Sequence, residues 1–155
     1  MERFVTGETT NALIKCNHIM RWERLDCLII PHQHNGKQID HIDPIASIIW
    51  RQLEKILLPR ALHIIEEETF LNCKNLKSIW AQVGLNTISH HSFNGCESLK
   101  ETHFRILKDI RDRAFAGCAS LKTQDLGYQI KQLGNDLLNG CHSLESLTLE
   151  GTGNL

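Results

Sequence analysis

The sequence predicts a solenoid of short parallel strands, one strand per coil of 22–23 residues, wound into one domain. Three observations predict it. Cysteines recur at Cys73, Cys96, Cys118 and Cys141, separated by 23, 22 and 23 residues. A leucine follows each by three (Leu76, Leu99, Leu121, Leu144), and Phe70, Phe93, Phe115 or Leu138 precedes each by three. Five residues before those stand Ile65, Ile88, Ile110 and Leu133. Slots that hold one period through four units define a tandem repeat. A single unit cannot bury its apolar side alone. Stacked at the usual strand spacing of about 4.8 Å, units cover each other and like residues pile into columns.

Taken in chain order, residues 1–24 are expected to form an N-terminal capping segment, with Ala12 to Trp22 shielding the open end of the stack. The solenoid proper is expected over residues 25–155. Leu25, Leu28, Ile30 and Pro31 repeat the spacing of Leu53, Ile56, Leu58 and Pro59 after a step of 28, the extra length falling in the turn-like His34-Asn35-Gly36-Lys37. In the next coil Ser47 and Trp50 stand where Phe and Cys are due, and Ile48 offers an apolar substitute. Strands are therefore expected near Leu25, Leu53, Leu76, Leu99, Leu121 and Leu144, about five to six coils in all. The L-x-x-I-x-L start of a unit fits a short strand whose alternate residues point inward. The three-residue spacing of Phe, Cys and Leu suits a short 3₁₀ or helical turn on the opposite side. Asn72, Gly95, Gly117 and Gly140, just before the cysteines, suit a turn position with φ > 0. Thr102 and Gln124 occupy the inward isoleucine slot, and Leu137 and Leu138 replace a small residue and Phe, so the fourth and fifth strands are expected to pack more loosely. After Leu149 the sequence offers no polar capping unit, which predicts a larger array, a frayed last coil or a covering partner.

The pattern I-x₄-F-x-x-C-x-x-L-x-x-I over Ile65 to Ile79, with the segments FLNCKNLKSI, FNGCESLK and FAGCASLK, resembles the BspA-like leucine-rich repeats. The L-x-x-I-x-L-P of Leu53 to Pro59 and an entry coil, LIIPHQHNGKQIDHID, extend the resemblance over about residues 25 to 150. It implies a leucine-rich-repeat solenoid, with parallel strands on one face and short 3₁₀ or helical turns opposite. It also implies a role in protein–protein contact, often within larger surface-exposed or adhesive proteins.

Other function classes find little support. Lys plus Arg number 17 against 18 Asp plus Glu, and no two basic residues are adjacent, so a nucleic-acid partner is not expected. No run approaches the 18 apolar residues of a membrane span. Met1 to Cys16 has no signal-peptide core, so the chain as given is expected to be cytoplasmic, and surface or extracellular if it is part of a longer protein. The cysteine spacing equals the repeat period and needs no chemical reason. A column of reduced thiols is expected in preference to disulfides or a metal site, with Cys27, at an outward strand position, the more reactive one. Among nine histidines, His32, His34 and His41 are the nearest approach to a metal set, and His90 and His91 form a pair on a turn. Solvated turn side chains explain both groups, so neither a metal nor a cofactor is expected. No G-x-S-x-G, P-loop or dinucleotide-binding frame is present, and no catalytic residue is assigned.

The outward strand positions can be named in advance. Two residues after each leading leucine stand Cys27, Lys55, Ser78, Glu101, Thr123 and Ser146; four after stand Ile29, Leu57, Trp80, His103, Asp125 and Thr148. Ile29, Leu57 and Trp80 should form an apolar strip, and such patches with an aromatic anchor mark contact surfaces. The candidate protein-binding residues are Ile29, Leu57, Trp80 and His103, with Lys55 and Glu101 beside them. The leading expectation is a non-catalytic protein–protein interaction module that binds through the strand face. A segment of an extracellular adhesive repeat protein is the alternative, and a metal-dependent enzyme using His32, His34 and His41 a third. The partner's identity and the oligomeric state are left open by the sequence.

Overall fold

The structure, a computed structural model, describes residues 27–30, 32–34, 36–42, 51–81 and 83–149. The capping segment, the coil positions Ser47, Ile48 and Trp50, and the end beyond Leu149 lie outside the described residues. Among the described residues six short strands form the first face: β1 (Cys27–Ile29), β4 (Lys55–Leu58), β6 (Ser78–Ala81), β8 (Glu101–His103), β10 (Thr123–Asp125) and β12 (Ser146–Thr148). Opposite them lie the two-residue strands β5 (Ile64–Ile65), β7 (Thr87–Ile88), β9 (Asp109–Ile110) and β11 (Gln132–Leu133). Parallel ladders run β1-β4-β6-β8 and β10-β12 on one face, and β5-β7-β9-β11 on the other. Four coils thus carry both ladders, flanked by β1 and β12. The 28-residue first step is taken up by an antiparallel pair, β2 (Gln33–His34) with β3 (Lys37–Gln38), and Gly36 in the link has φ 76°.

Register follows the repeat. Cys27, Lys55, Ser78 and Glu101 lie side by side, as do Leu28, Ile56, Ile79 and Thr102. Between the faces the slots become columns. Phe70, Phe93 and Phe115 are fully buried and stack with centroids 5.2 Å apart at each step, their planes 9° and 2° from parallel. Burying each ring contributes about 1.5–3 kcal/mol, and each ring pair adds roughly 0.5–1.5. Cys73, Cys96 and Cys118 are also buried, as are Leu53, Leu76, Leu99 and Leu121. Two further columns complete the interior: Leu58, Ala81, Phe104 and Leu126, and then Leu62, Leu85 and Leu107, with Ile130 partly buried.

The turn side departs from the expected 3₁₀ or helical segments: among the described residues there is no helix. Isolated i→i+3 bonds are present, as from the Cys96 N–H to the Phe93 carbonyl (3.1 Å) and from the Leu99 N–H to Cys96 (3.0 Å). They do not propagate because each turn is bracketed by left-handed residues. Glu68, His91, Arg113 and Asp136 enter it at φ 53–57°, and Asn72, Gly95, Gly117 and Gly140 leave it at φ 57–79°. A left-handed residue cannot continue a right-handed helix. The freed N–H groups bond the next coil instead: Phe70 to the Ser92 carbonyl, Phe93 to Ala114 and Gly95 to Ala116, at 2.8–2.9 Å.

Among the described residues the ladder of the first face is interrupted between β8 and β10. The coil from Leu99 to Leu121 has 22 residues. At its inward slot Thr102 and Gln124, both buried, pair with each other, Thr102 Oγ1 donating to Gln124 Oε1 at 2.9 Å. The N–H just after the strand, at Ile30 and Leu126, donates to the next coil at Leu57 and Thr148. The corresponding carbonyl of Asp125 accepts the Gln124 side-chain amide instead, at 3.1 Å. A side chain that bonds its own backbone competes with the ladder. The last coil is also less enclosed, with Leu133, Leu137, Leu138, Cys141 and Leu144 only partly buried.

Candidate binding face

Parallel register places the named outward positions in two rows. In the first, Lys55, Glu101, Thr123 and Ser146 are exposed, whereas Ser78, short and flanked by Lys55 and Glu101, is buried. In the second, Ile29 pairs with Leu57 by backbone register, its side chain lying outside the described set. Leu57 and Trp80 are half-buried, and His103, Asp125 and Thr148 are exposed. Trp80 and His103 stack with centroids 5.2 Å apart and planes 2° from parallel. His103 Nε2 lies 3.7 Å from Glu101 Oε2. Five of the six candidates thus share one surface, and the sixth continues its row along the backbone.

Beside this row runs a groove of about 670 Å³, lined by Leu57, Trp80, His103 and Asp125 and, on its far rim, by Arg60, Val83 and Arg105. The rim belongs to one slot, two residues before Leu62, Leu85, Leu107 and Ile130, whose fourth member is Tyr128. Val83 is 60% exposed and Tyr128 56%. Sequence reasoning missed this row although it keeps the 23, 22, 23 period, because Arg, Val, Arg and Tyr share no chemical type.

The cysteine column is queued as expected. Cys73, Cys96, Cys118 and Cys141 are free thiols. The Cys96, Cys118 and Cys141 S–H groups donate to the carbonyls of Phe70, Phe93 and Phe115, one coil back, at 3.1–3.3 Å. Burial, then contact with the Cys73 thiol, pushes Cys96 well above the usual thiol range. Contact with the Cys141 thiol, then burial, does the same to Cys118. Cys141, half-buried at the end of the column, is lowered because the Cys118 thiol hydrogen-bonds its thiolate. The side chain of Cys27 lies outside the described set.

The histidines are dispersed. His32 Nδ1 accepts the Arg60 backbone N–H at 3.0 Å, and His41 Nδ1 lies 3.7 Å from Glu66; the side chain of His34 is outside the described set. His90 faces Asp112 at 3.7 Å, and His91 Nδ1 shares a 2.8 Å hydrogen bond with Asn94. Among the described residues no three of His, Cys, Asp and Glu converge as metal ligands, and no helix is long and apolar enough to cross a membrane.

The profile of the BspA type leucine rich repeat region matches residues 49–154 in six copies. No curated protein matches the chain significantly. Among solved structures, a leucine-rich repeat protein of T. pallidum is similar, at 23% identity over 82% of this chain and 71% of that one, with a TM-score of 0.67. A leucine-rich cell surface protein of Faecalibacterium prausnitzii A2-165 is 20% identical over 89% of this chain, with a TM-score of 0.72. A leucine-rich repeat protein of Bacteroides ovatus ATCC 8483 is 22% identical over 94% of it, with a TM-score of 0.73. The chain spans only 37% and 39% of the length of these last two. At such identities the likeness is one of fold.

Proposed function

The chain belongs to the BspA-type leucine-rich repeat family, and from that premise we propose that it is a non-catalytic module whose protein partner seats on the strand face. One observation carries this: Leu57, Trp80 and His103 stand side by side on a face fixed by parallel ladders, where the interior has no need of them. An aromatic anchor in a preformed groove is the usual centre of a protein contact, because its area is gained at small entropic cost. Lys55 and Glu101 supply a charged border of the kind found at interface rims.

A second reading is supported by the F. prausnitzii structure, which is that of a cell surface protein and is much longer than this chain. On that reading the coils are a segment of a surface array, and the same face makes the contact.

The test is affinity capture with wild type and Trp80→Ala, read by mass spectrometry, with circular dichroism on both proteins. The expected result is an intact fold and loss of the captured partner. A variant that unfolds would place Trp80 in the core, and undiminished capture would move the contact off this face; either overturns the proposal.

A further inference from the structure

We propose that Asn139-Gly140 is a site of spontaneous covalent modification, at which the Asn139 side-chain amide is lost through a backbone imide, while a second copy of the same dipeptide, Asn94-Gly95, is held back from it. The site lies on the turn side and is independent of any partner on the strand face. The two copies fill equivalent slots, just before Cys141 and Cys96; a third Asn-Gly, Asn35-Gly36, falls outside that slot. Their backbones match. The Asn94 N–H donates to the His91 carbonyl and the Asn139 N–H to the Asp136 carbonyl, both at 3.1 Å. The two asparagine carbonyls accept the Asn72 and Gly117 N–H groups at 2.8 and 2.7 Å, and Gly95 and Gly140 have φ 74° and 79°. Two contacts separate them. The Gly95 N–H donates to the Ala116 carbonyl at 2.8 Å, and the half-buried Asn94 donates its side-chain amide to His91 Nδ1, also at 2.8 Å. Among the described residues the Gly140 N–H and the exposed Asn139 side chain have no such bonds.

The reaction needs the two groups that are open in the last coil. The Gly140 nitrogen gives its proton to hydroxide and attacks Cγ of Asn139. A new N–Cγ bond replaces the Cγ–Nδ2 bond, and the side-chain nitrogen leaves as ammonia with a proton from water. Water then opens the cyclic imide at either carbonyl, leaving aspartate or isoaspartate at position 139. One water is consumed and one ammonia released, with no change of oxidation state. Glycine favours the attack because no Cβ shields its nitrogen. At position 94 the same step requires the Gly95 N–H to leave Ala116 and the Asn94 amide to leave His91. That coil is enclosed on both sides, where local opening is rare, whereas the last coil is only partly buried. Conversion also has a structural consequence. In the isoaspartate form the main chain runs through the former side chain, one methylene longer, and the old peptide carbonyl becomes a branching carboxylate. That carbonyl is the acceptor of the Gly117 N–H, a bond that ties the last coil to its neighbour.

The full chain, native and in guanidinium chloride, is incubated in mildly alkaline buffer, digested under weakly acidic conditions and mapped by tandem mass spectrometry. Isoaspartate is labelled with a protein isoaspartyl methyltransferase. The expected result is conversion at position 139 at least about ten-fold faster than at position 94 in the native chain, and comparable conversion at both in denaturant, where only the shared dipeptide remains. Equal rates at the two positions in the native chain overturn the proposal. So does a ten-fold difference that persists in denaturant, which would assign the selectivity to flanking sequence. Hydrogen exchange gives the second readout. The Gly117 amide should exchange faster in aged than in fresh protein, and Asn139→Ser should abolish that change with age. Exchange at Gly117 that is indifferent to ageing overturns the loosening of the last coil.

Discussion

Cys96 and Cys118 hold their protons inside the column, and that makes their ionisation a stability term. Their folded pKa values lie above those of free thiols, so the chain should keep its full stability below about pH 8.5 and lose it as pH rises from there toward the folded values. Urea midpoints at neutral and alkaline pH should show the fall, and Cys96→Ala with Cys118→Ala should flatten the slope. Cys141 runs the opposite way, lowered and half-buried, so among the four column thiols it should be the first to react with an aromatic disulfide reagent in the native protein. Thr102 and Gln124 offer a second test at this scale. Thr102→Ile leaves the Gln124 oxygen buried without its donor and should cost about 1–3 kcal/mol. Adding Gln124→Ile restores an apolar column and should recover most of that loss, a non-additivity that a double-mutant cycle in urea would measure. Restoration of no stability by the second change would mean that the pair is not the determinant.

At the level of the element, the turn decides the coil. Gly95 has φ 74°, and a Cβ there would meet the Asn72 side chain, so Gly95→Ala should cost at least about 1–2 kcal/mol by thermal melting. Glu68, exposed and also left-handed, should respond the other way: Glu68→Gly relieves that strain, offset by about 0.4–1 kcal/mol of unfolded-chain entropy, leaving the melting temperature equal or higher. The two positions show how far the sequence could be read. The slot before each cysteine carries Asn or Gly and announces its φ; the slot four residues earlier carries Glu, His, Arg and Asp and announces nothing. The same limit hid the second ladder. Ile65, Ile88, Ile110 and Leu133 were visible as a column, but strands of two residues are too short to show alternation. On the binding face the Trp80 row was legible from the period-two rule, whereas the Arg60–Tyr128 rim lacks any common polarity.

For the whole molecule, stability is a sum over coils and their contacts. Phe93 stacks on Phe70 and on Phe115 and meets Phe104 at a tilt, so Phe93→Ala removes three ring contacts at mid-stack and should cost about 3–5 kcal/mol. The last coil encloses its columns least, and Leu147 and Leu149 are 44% and 41% exposed. Amides of β11 and β12 should therefore exchange fastest of the ladder amides, those of β6 and β7 slowest. The gap between β8 and β10 has a mechanical consequence. Among the described residues one side of the rod is held there only by the Lys122 N–H to the Lys100 carbonyl and by the Thr102–Gln124 pair, while β9 and β11 stay bonded opposite, so the molecule has a book-like spine at that coil. Flexing should concentrate at this crease, spreading His103 from Asp125 and altering the width of the cleft that both of them line.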